Sequence, residues 1–277
     1  MDSFTITLPS NVKNDGNRIG DYRTYLPRRI DLSGDWEFCL KEISYTKSWY
    51  NIFEDQPIGI TVIPNMSVTI SDEITLQRGF YDKATLIHKI NKGIEKAVTK
   101  TYENYGVSDE QVPPVVGYNA YTNTIEITSG SIVLLGQTKP LLPLFNSSLC
   151  NLLGICNENH GIDYKNHVVT AVNDTDGKIF GIQPVDITAG IHTLFVYCNI
   201  AEESIVGNSL TRLLKTVTVP PYESFGDQIV MTHDNPDYVK LSKKNFDMIH
   251  INIKDGTGLT VPFQFGRVIC TLHFRRK

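Results

Sequence analysis

The chain has 277 residues, of which 41% are hydrophobic and 20% charged, and its formal net charge is −4. This is globular rather than disordered composition, and the length suffices for one large domain or two small ones. The mild negative charge argues against nucleic-acid binding by the fold as a whole, because polyanion binders are usually basic. No stretch approaches the ~20 consecutive apolar residues of a membrane-spanning helix, so we expect no membrane partner.

The first clear element is an alternation in residues 29–45. Trp36, Phe38 and Leu40 fall on one parity and charged residues on the other, which predicts a strand with one buried and one solvated face. Beyond Lys41 the apolar side chains change parity. We therefore expect a β-bulge near this residue, or a strand that changes its packing partner.

Two helices are predicted in the middle of the chain. The first spans residues 82–98, where apolar side chains recur on one face and Asp82 supplies an N-cap. The second spans residues 147–154, from a capping Ser147 to a terminating Gly154. Further strand candidates, each near turn residues, are Ile58–Ile63, Thr124–Thr128, Ser131–Leu135, His167–Val172 and Ile191–Ile200.

Alternation returns near the end of the chain. Ile249, Ile251 and Ile253 alternate with polar residues, a glycine-containing turn follows at residues 255–258, and a second alternating run covers Val268–Phe274. Two such runs on either side of a glycine-rich turn predict paired antiparallel strands.

Many short strands and only two helices favour an antiparallel sandwich or barrel over a βαβ fold. We expect an all-β fold, β-rich with two short helices, in which residues 1–277 form one jelly-roll β-sandwich. Strands from the two chain ends would pair, and approximately residues 75–165 would form a helix-containing insertion.

The sequence carries no recognisable catalytic motif. Motifs for serine hydrolases, nucleotide binding and zinc proteases are absent, and no histidines stand at metal-ligand spacing. Cys150 and Cys156 are not at a zinc-knuckle spacing, and the cysteine count is odd. Residues 173–177 resemble a calcium loop, but Val172 and Gln183 occupy two ligand positions, so a turn is expected. We predict no enzyme, no catalytic residues, no metal and no cofactor.

Several blocks of the sequence resemble the minor capsid (penton) proteins of Maverick/Polinton transposable elements and their adintovirus and virophage-like relatives. The resemblance covers nearly the whole chain in the right order. Two places depart from the family pattern, since Asn208 replaces a usual acidic residue and Lys254-Asp255 replaces a pair of acids. The blocks are Leu26–Pro27, Ile30–Glu37, Ile43–Tyr45, Ser48–Asn51, Gly79–Asn91, Leu149–Gly154, Phe195–Ile200, Val206–Ser209, Leu213–Leu214 and Phe246–Arg276.

This resemblance implies a single jelly roll that assembles as a homopentamer at the fivefold vertices of an icosahedral capsid. A double-jelly-roll major capsid protein would be its neighbour. The protein would be located in the virion after synthesis inside a host cell, and its role would be structural.

Candidate interface residues follow from aromatic and cationic side chains near loops and ends. Proline-containing segments at residues 219–222 and 236–238 are stiff loops with aromatic anchors, or ordinary turns. The aromatic pair after the first strand lies either in the core or at an interface. The basic C-terminus is either solvated or contacts an acidic neighbour or packaged nucleic acid. The candidates are Trp49, Tyr50, Tyr222, Tyr238, Arg275 and Arg276.

Two other functional classes stay open at this point. A jelly-roll binding module, lectin-like or receptor-binding, predicts an exposed cluster of aromatic and carboxylate side chains that retains a sugar or a peptide. A jelly-roll hydrolase would need a histidine–carboxylate pair at a pocket.

Overall fold

The computed structural model describes residues 2–62, 66–67, 75–105, 111–134, 137–155 and 178–277. The predicted strand His167–Val172 and the turn at residues 173–177 lie outside these ranges. The strands are β1 (Ser3–Pro9), β2 (Asp21–Asp31), β3 (Trp36–Thr46), β4 (Gln56–Val62), β5 (Met66–Ser67), β6 (Thr75–Leu76), β7 (Val115–Asn119), β8 (Thr124–Thr128), β9 (Gly130–Leu134), β10 (Gln137–Phe145), β11 (Lys178–Phe180), β12 (Thr193–Cys198), β13 (Ser204–Val206), β14 (Ser209–Thr211), β15 (Leu213–Thr218), β16 (Gln228–Thr232), β17 (Val239–Lys240), β18 (Asn245–Lys254) and β19 (Ile269–Arg276). The helices are α1 (Lys83–Tyr105) and α2 (Ser147–Leu152).

The chain divides into two compact units. The terminal unit consists of Met1–Trp49 and Gly190–Lys277, and the inserted unit is Tyr50–Ala189. The helix-bearing segment predicted at residues 75–165 falls inside the inserted unit.

The terminal unit contains two antiparallel sheets. In the first sheet the strand order is β1-β19-β3-β16, with the short β17 also on β3, and in the second it is β15-β12-β18-β2. The eight main strands of this unit, in chain order, are β1, β2, β3, β12, β15, β16, β18 and β19. Numbered from 1 to 8 in that order, they form one sheet with the order 1-8-3-6 and a second sheet with the order 5-4-7-2. This is the strand order of a jelly roll, and the predicted fold class is confirmed.

Alternation along three strands supplies the core of this unit. Cys270, Leu272 and Phe274 of β19 are 0% exposed, and the three isoleucines of β18 are likewise fully buried. In β3 the inward parity changes as expected, because Leu40 pairs with Leu272 and Glu42 pairs with Thr271. Lys41 is therefore the extra residue of a β-bulge, and the predicted bulge is confirmed.

Two local predictions were wrong. Residues 29–45 are not one strand, because β2 ends at Asp31 and β3 begins at Trp36, with Gly34 between them at φ +89°. The runs at residues 249–253 and 268–274 do not pair with each other. They are β18 and β19, and they belong to opposite sheets. The glycine turn is present, but the long segment after it carries the chain across the sandwich.

The two ends of the chain meet in the first sheet. β1 pairs antiparallel with β19, from Ser3 opposite Arg275 to Pro9 opposite Ile269. β1 is not among the predicted strands, although its apolar residues alternate with serine and threonine as in a strand.

The inserted unit has its own core and contains both helices. Its strands form the sheets β5-β4-β10-β9, with β6 on β4, and β11-β8-β7. The predicted face of α1 is buried, with Leu86, Ile90 and Ile94 at 0% exposure. Asp82 Oδ1 accepts a hydrogen bond from the Thr85 backbone N at 2.8 Å, and this bond holds the pKa of the carboxyl below its ordinary value.

Both helices differ in detail from their predictions. α1 has 23 residues, so it is a long helix and continues past the predicted end at residue 98. The N-cap of α2 is Asn146 instead of Ser147, because the Asn146 side chain accepts the backbone N–H of Leu149. α2 ends at Leu152, and Gly154 follows in a left-handed conformation with φ +69°.

Candidate assembly surfaces

A cleft of about 740 Å³ lies on the outer face of the second sheet of the terminal unit. Because Leu194, Val196 and Cys198 point into the core, the alternate residues of β12, Phe195 and Tyr197, point outward into the cleft. β18 contributes its outward residues in the same way, and the β13–β14 hairpin and the turn after β18 provide the walls. We call this the sheet cleft. Its floor residues are Phe195, Tyr197, His250, Asn252 and Lys254.

The basic side chains of the sheet cleft differ in how they are paired. Arg212 forms an ion pair with Glu203 at 3.4 Å, and His250 Nε2 lies 2.5 Å from Asp21 Oδ1. The ammonium of Lys254 lies 5.6 Å from the centroid of the Tyr197 ring, which is a cation–π distance. Within the described part of the chain, Lys254 forms no ion pair.

The acidic residue next to Lys254 is occupied by its own turn. Asp255 Oδ1 accepts hydrogen bonds from the Thr257 backbone N, the Thr257 hydroxyl and the Leu259 backbone N at 2.9, 2.7 and 3.1 Å. The carboxylate therefore shapes the wall of the cleft instead of neutralising the neighbouring lysine.

The hairpin beside the cleft exposes apolar side chains. Ile205 and Leu210 are directly opposite each other across β13 and β14, and they are 78% and 68% exposed. The two side chains therefore add exposed apolar surface beside the cleft.

A second surface is the loop at residues 219–227, which joins β15 to β16 and which we call the anchored loop. Lys47, only 8% exposed, holds it through three hydrogen bonds. Lys47 Nζ donates to the Glu223 carbonyl at 2.7 Å, Lys47 N donates to the Asp227 carbonyl at 2.9 Å, and the Gly226 N–H donates to the Lys47 carbonyl at 2.8 Å. Burial lowers the pKa of Lys47, and the acidic Glu223 and Asp227 partly offset this effect.

The anchored loop presents an aromatic and an acidic side chain to solvent. Tyr222 is 96% exposed, and Glu223 is exposed beside it. In the described residues the Glu223 carboxylate has no ion-pair partner. The ring of Phe225 packs edge-to-face on Phe265 at 5.5 Å and fixes the other side of the loop.

The predicted aromatic candidates have different environments. Trp49 is 3% exposed and packs against Tyr45 and Phe263 at ring distances of 6.4 and 5.6 Å, so its indole belongs to the core of the terminal unit. Tyr50 is partly buried at the start of the inserted unit. Tyr222 is the fully presented aromatic among the candidates.

Tyr238 and Arg275 come together in one cluster on the first sheet. The Arg275 guanidinium lies 3.5 Å from the Tyr238 ring centroid and forms hydrogen bonds with Glu37 Oε1 at 2.7 and 2.6 Å. The bond to Glu37 raises the pKa of Arg275. The Tyr238 hydroxyl is 2.9 Å from His273 Nδ1, and burial lowers the pKa of His273. Arg275 is therefore committed within the chain, whereas Arg276 is exposed and forms no ion pair in the described residues.

The described residues offer little for catalysis. They contain no cluster of three or more His, Cys, Asp or Glu side chains arranged for a metal, and none of their helices is long and apolar enough to cross a membrane. His250 and Asp21 are a histidine–carboxylate pair at the cleft, but no hydrogen bond in the described chain joins the His250 ring to a hydroxyl or thiol. The nearby Cys198 is fully buried, and burial raises its thiol pKa to about 12.

Comparison with solved structures gives a full-length match. The chain is similar to the mavirus penton protein, with a TM-score of 0.55 and 13% identity over 99% of both chains. It is also similar to a chain of the Sputnik virophage cryo-EM structure, with a TM-score of 0.50 and 13% identity over 100% of this chain and 98% of that one. The chain shares the fold of a virophage penton protein. No protein-family model and no curated protein sequence matches it.

Sequence reasoning missed most of these two surfaces. Lys254 attracted notice only as a departure from a family pattern, and Phe195 and Tyr197 were read as part of a strand. The alternation along β12 could have shown that Phe195 and Tyr197 point outward. The cleft, however, forms only where the β13–β14 hairpin lies beside these strands. No local sequence pattern indicated that Lys47 holds the loop, because its hydrogen-bond partner Glu223 is 176 positions away in sequence.

Proposed function

We propose that this protein is a structural capsid subunit of the penton type, and that five copies form a ring at each fivefold vertex of an icosahedral capsid. The observation that carries the proposal is the jelly-roll strand order together with similarity to the mavirus penton protein over 99% of both chains. The sequence resemblance supports an origin among Maverick/Polinton elements and their adintovirus and virophage-like relatives.

The physical properties of a jelly roll suit this role. Two sheets packed face to face form the core, so loops and outer sheet faces are available for contacts without disturbing it. A cyclic ring requires a contact between two different patches of the same subunit. The terminal unit offers two such patches, the sheet cleft and the anchored loop. The role is structural and needs no cofactor.

The other partners follow from the position in the capsid. A double-jelly-roll major capsid protein would surround each ring, and the protein would be part of the virion. The exposed Arg276 and Lys277 give the C-terminus a cationic end that can contact an acidic neighbour or packaged nucleic acid.

The test is the oligomeric state in solution. Native mass spectrometry and negative-stain electron microscopy of the purified chain should show fivefold rings with five times the 31.2 kDa chain mass, either alone or after mixing with the major capsid protein. A contact of ~1,200–2,000 Å² should survive moderate salt in part, because salt screens exposed charges and spares buried apolar area.

Two results would contradict the proposal. One is a closed dimer or trimer at every concentration with no fivefold species even in the presence of the major capsid protein. The other is a stable monomer that retains a sugar or a peptide in the sheet cleft, which would favour the binding-module alternative.

A further inference from the structure

We propose that the anchored loop of one subunit binds in the sheet cleft of a second copy of this chain, with Tyr222 in the cleft and Glu223 paired with Lys254. The inference rests on the proposed ring and names the residues that would close it. The cleft is thus occupied by the anchored loop, residues 219–227, of the neighbouring subunit.

The cleft has the size and the chemistry for this loop. A volume of about 740 Å³ exceeds what one tyrosine side chain needs, and the floor offers the rings of Phe195 and Tyr197 for aromatic contacts. The exposed Leu210 at its wall, and Ile205 opposite it in the hairpin, would be covered by the incoming proline-containing segment.

The loop has the properties of an anchor. Tyr222 follows Pro220 and Pro221, which restrict the backbone, and its side chain is 96% exposed in its own chain. The three hydrogen bonds of Lys47 hold the loop before it binds. A preorganised loop loses little conformational entropy on association, and exposed tyrosines are frequent anchors of protein interfaces.

The charges of the two surfaces are complementary. Within the described residues Glu223 forms no ion pair, and Lys254 is the cationic side chain of the cleft that lacks an acidic partner. Arg212 and His250 already have acidic partners in their own chain. The Glu223 carboxylate acts on the Lys47 ammonium from beyond ion-pair distance, so it can still pair with the positive charge of Lys254 in the cleft.

The positions of the surfaces favour a contact between different copies. Thr193 of β12 pairs with Thr218 of β15, and Tyr197 pairs with Leu213, so the anchored loop and the β13–β14 hairpin that walls the cleft lie at opposite ends of β15. The loop and the cleft are different patches, and a contact between different patches closes into a ring when the rotation between subunits allows it.

A charge-reversal cycle tests the pairing. Lys254→Glu and Glu223→Lys should each reduce ring formation at least tenfold in mass photometry over a concentration series, with the major capsid protein present if the wild type needs it. The double variant should recover most of the loss, because the ion pair is restored with its charges exchanged. Lys243→Glu, an exposed lysine outside the cleft, is the matched charge control and should leave ring formation unchanged.

The aromatic contact has its own variant and control. Tyr222→Ser should reduce ring formation by a similar factor, whereas Tyr121→Ser should have no effect, although Tyr121 is 100% exposed. Circular dichroism and melting temperatures of the five single variants should match the wild type, since Lys254 lines the sheet cleft and the other four side chains are exposed.

The outcomes separate the two proposals. Rings that form normally in both single charge variants, or a double variant that shows no recovery, would overturn the loop-in-cleft contact and leave the penton function standing. A wild-type chain that forms no ring under any of these conditions would overturn both.

Discussion

Truncation of Phe38 to alanine should destabilise the terminal unit by about 3–5 kcal/mol, the usual cost of removing a buried phenylalanine. Phe38 is 0% exposed, and its ring stacks on Phe274 with a centroid distance of 5.2 Å. The surrounding side chains belong to rigid strands and cannot close the space, so the cavity adds to the lost transfer free energy.

Trp36→Ala is the matched control two residues earlier on the same parity of β3. The side chain is larger, but it is only partly buried, and its Nε1 donates to the Ser33 carbonyl at 3.0 Å close to solvent. The expected cost is roughly 1–2 kcal/mol, because only part of its apolar area leaves water on folding. The order of the two effects is thus opposite to the order of side-chain size.

The measurement is urea unfolding followed by tryptophan emission. The chain has two tryptophans, and Trp49, 3% exposed in the terminal unit, is the only one left after Trp36→Ala. Phe38→Ala is therefore placed in a Trp36→Phe background, so that the same reporter serves both variants. If Trp36→Ala costs as much as Phe38→Ala, the assignment of Phe38 to the core and of Trp36 to its rim is refuted.

Three further predictions concern strain, protonation and thiols. Gly266→Ala should lower the melting temperature more than Gly226→Ala. Both glycines have a positive φ (+84° and +96°), but only at position 266 would an added Cβ lie 2.2 Å from Thr46 Oγ1. Equal decreases in melting temperature would contradict this steric argument. Burial lowers the pKa of His273 below 6.5, so as the pH falls through that value the unfolded state binds a proton first and stability decreases. His273→Gln should flatten this dependence in melting curves between about pH 5 and 8, and an unchanged slope would exclude His273 as its source. Cys39, Cys150, Cys198 and Cys270 are buried and should react with a thiol reagent only on unfolding, so rapid labelling of any of these four in the native protein would disprove its burial.

The directions of side chains were determined by the sequence. Ile249, Ile251 and Ile253 face the core as their alternation predicts, and Lys41 forms the bulge that the change of parity indicates. The buried stripe of α1 was likewise correct. These features depend on the local period of a strand or a helix, which holds whatever partner the element has.

The partners of the strands were decided only by the tertiary structure. Backbone N–H and C=O groups are the same in every strand, so a sequence pattern sets which face is buried but not which strand lies alongside. This is why β18 and β19, neighbours along the chain, belong to opposite sheets, and why β1 pairs with β19 from the far end. Both assembly surfaces likewise depend on contacts between parts of the chain that are distant in sequence. The sheet cleft needs a hairpin beside two strands, and the anchored loop depends on Lys47, which reaches it only because the fold brings positions 176 residues apart into contact.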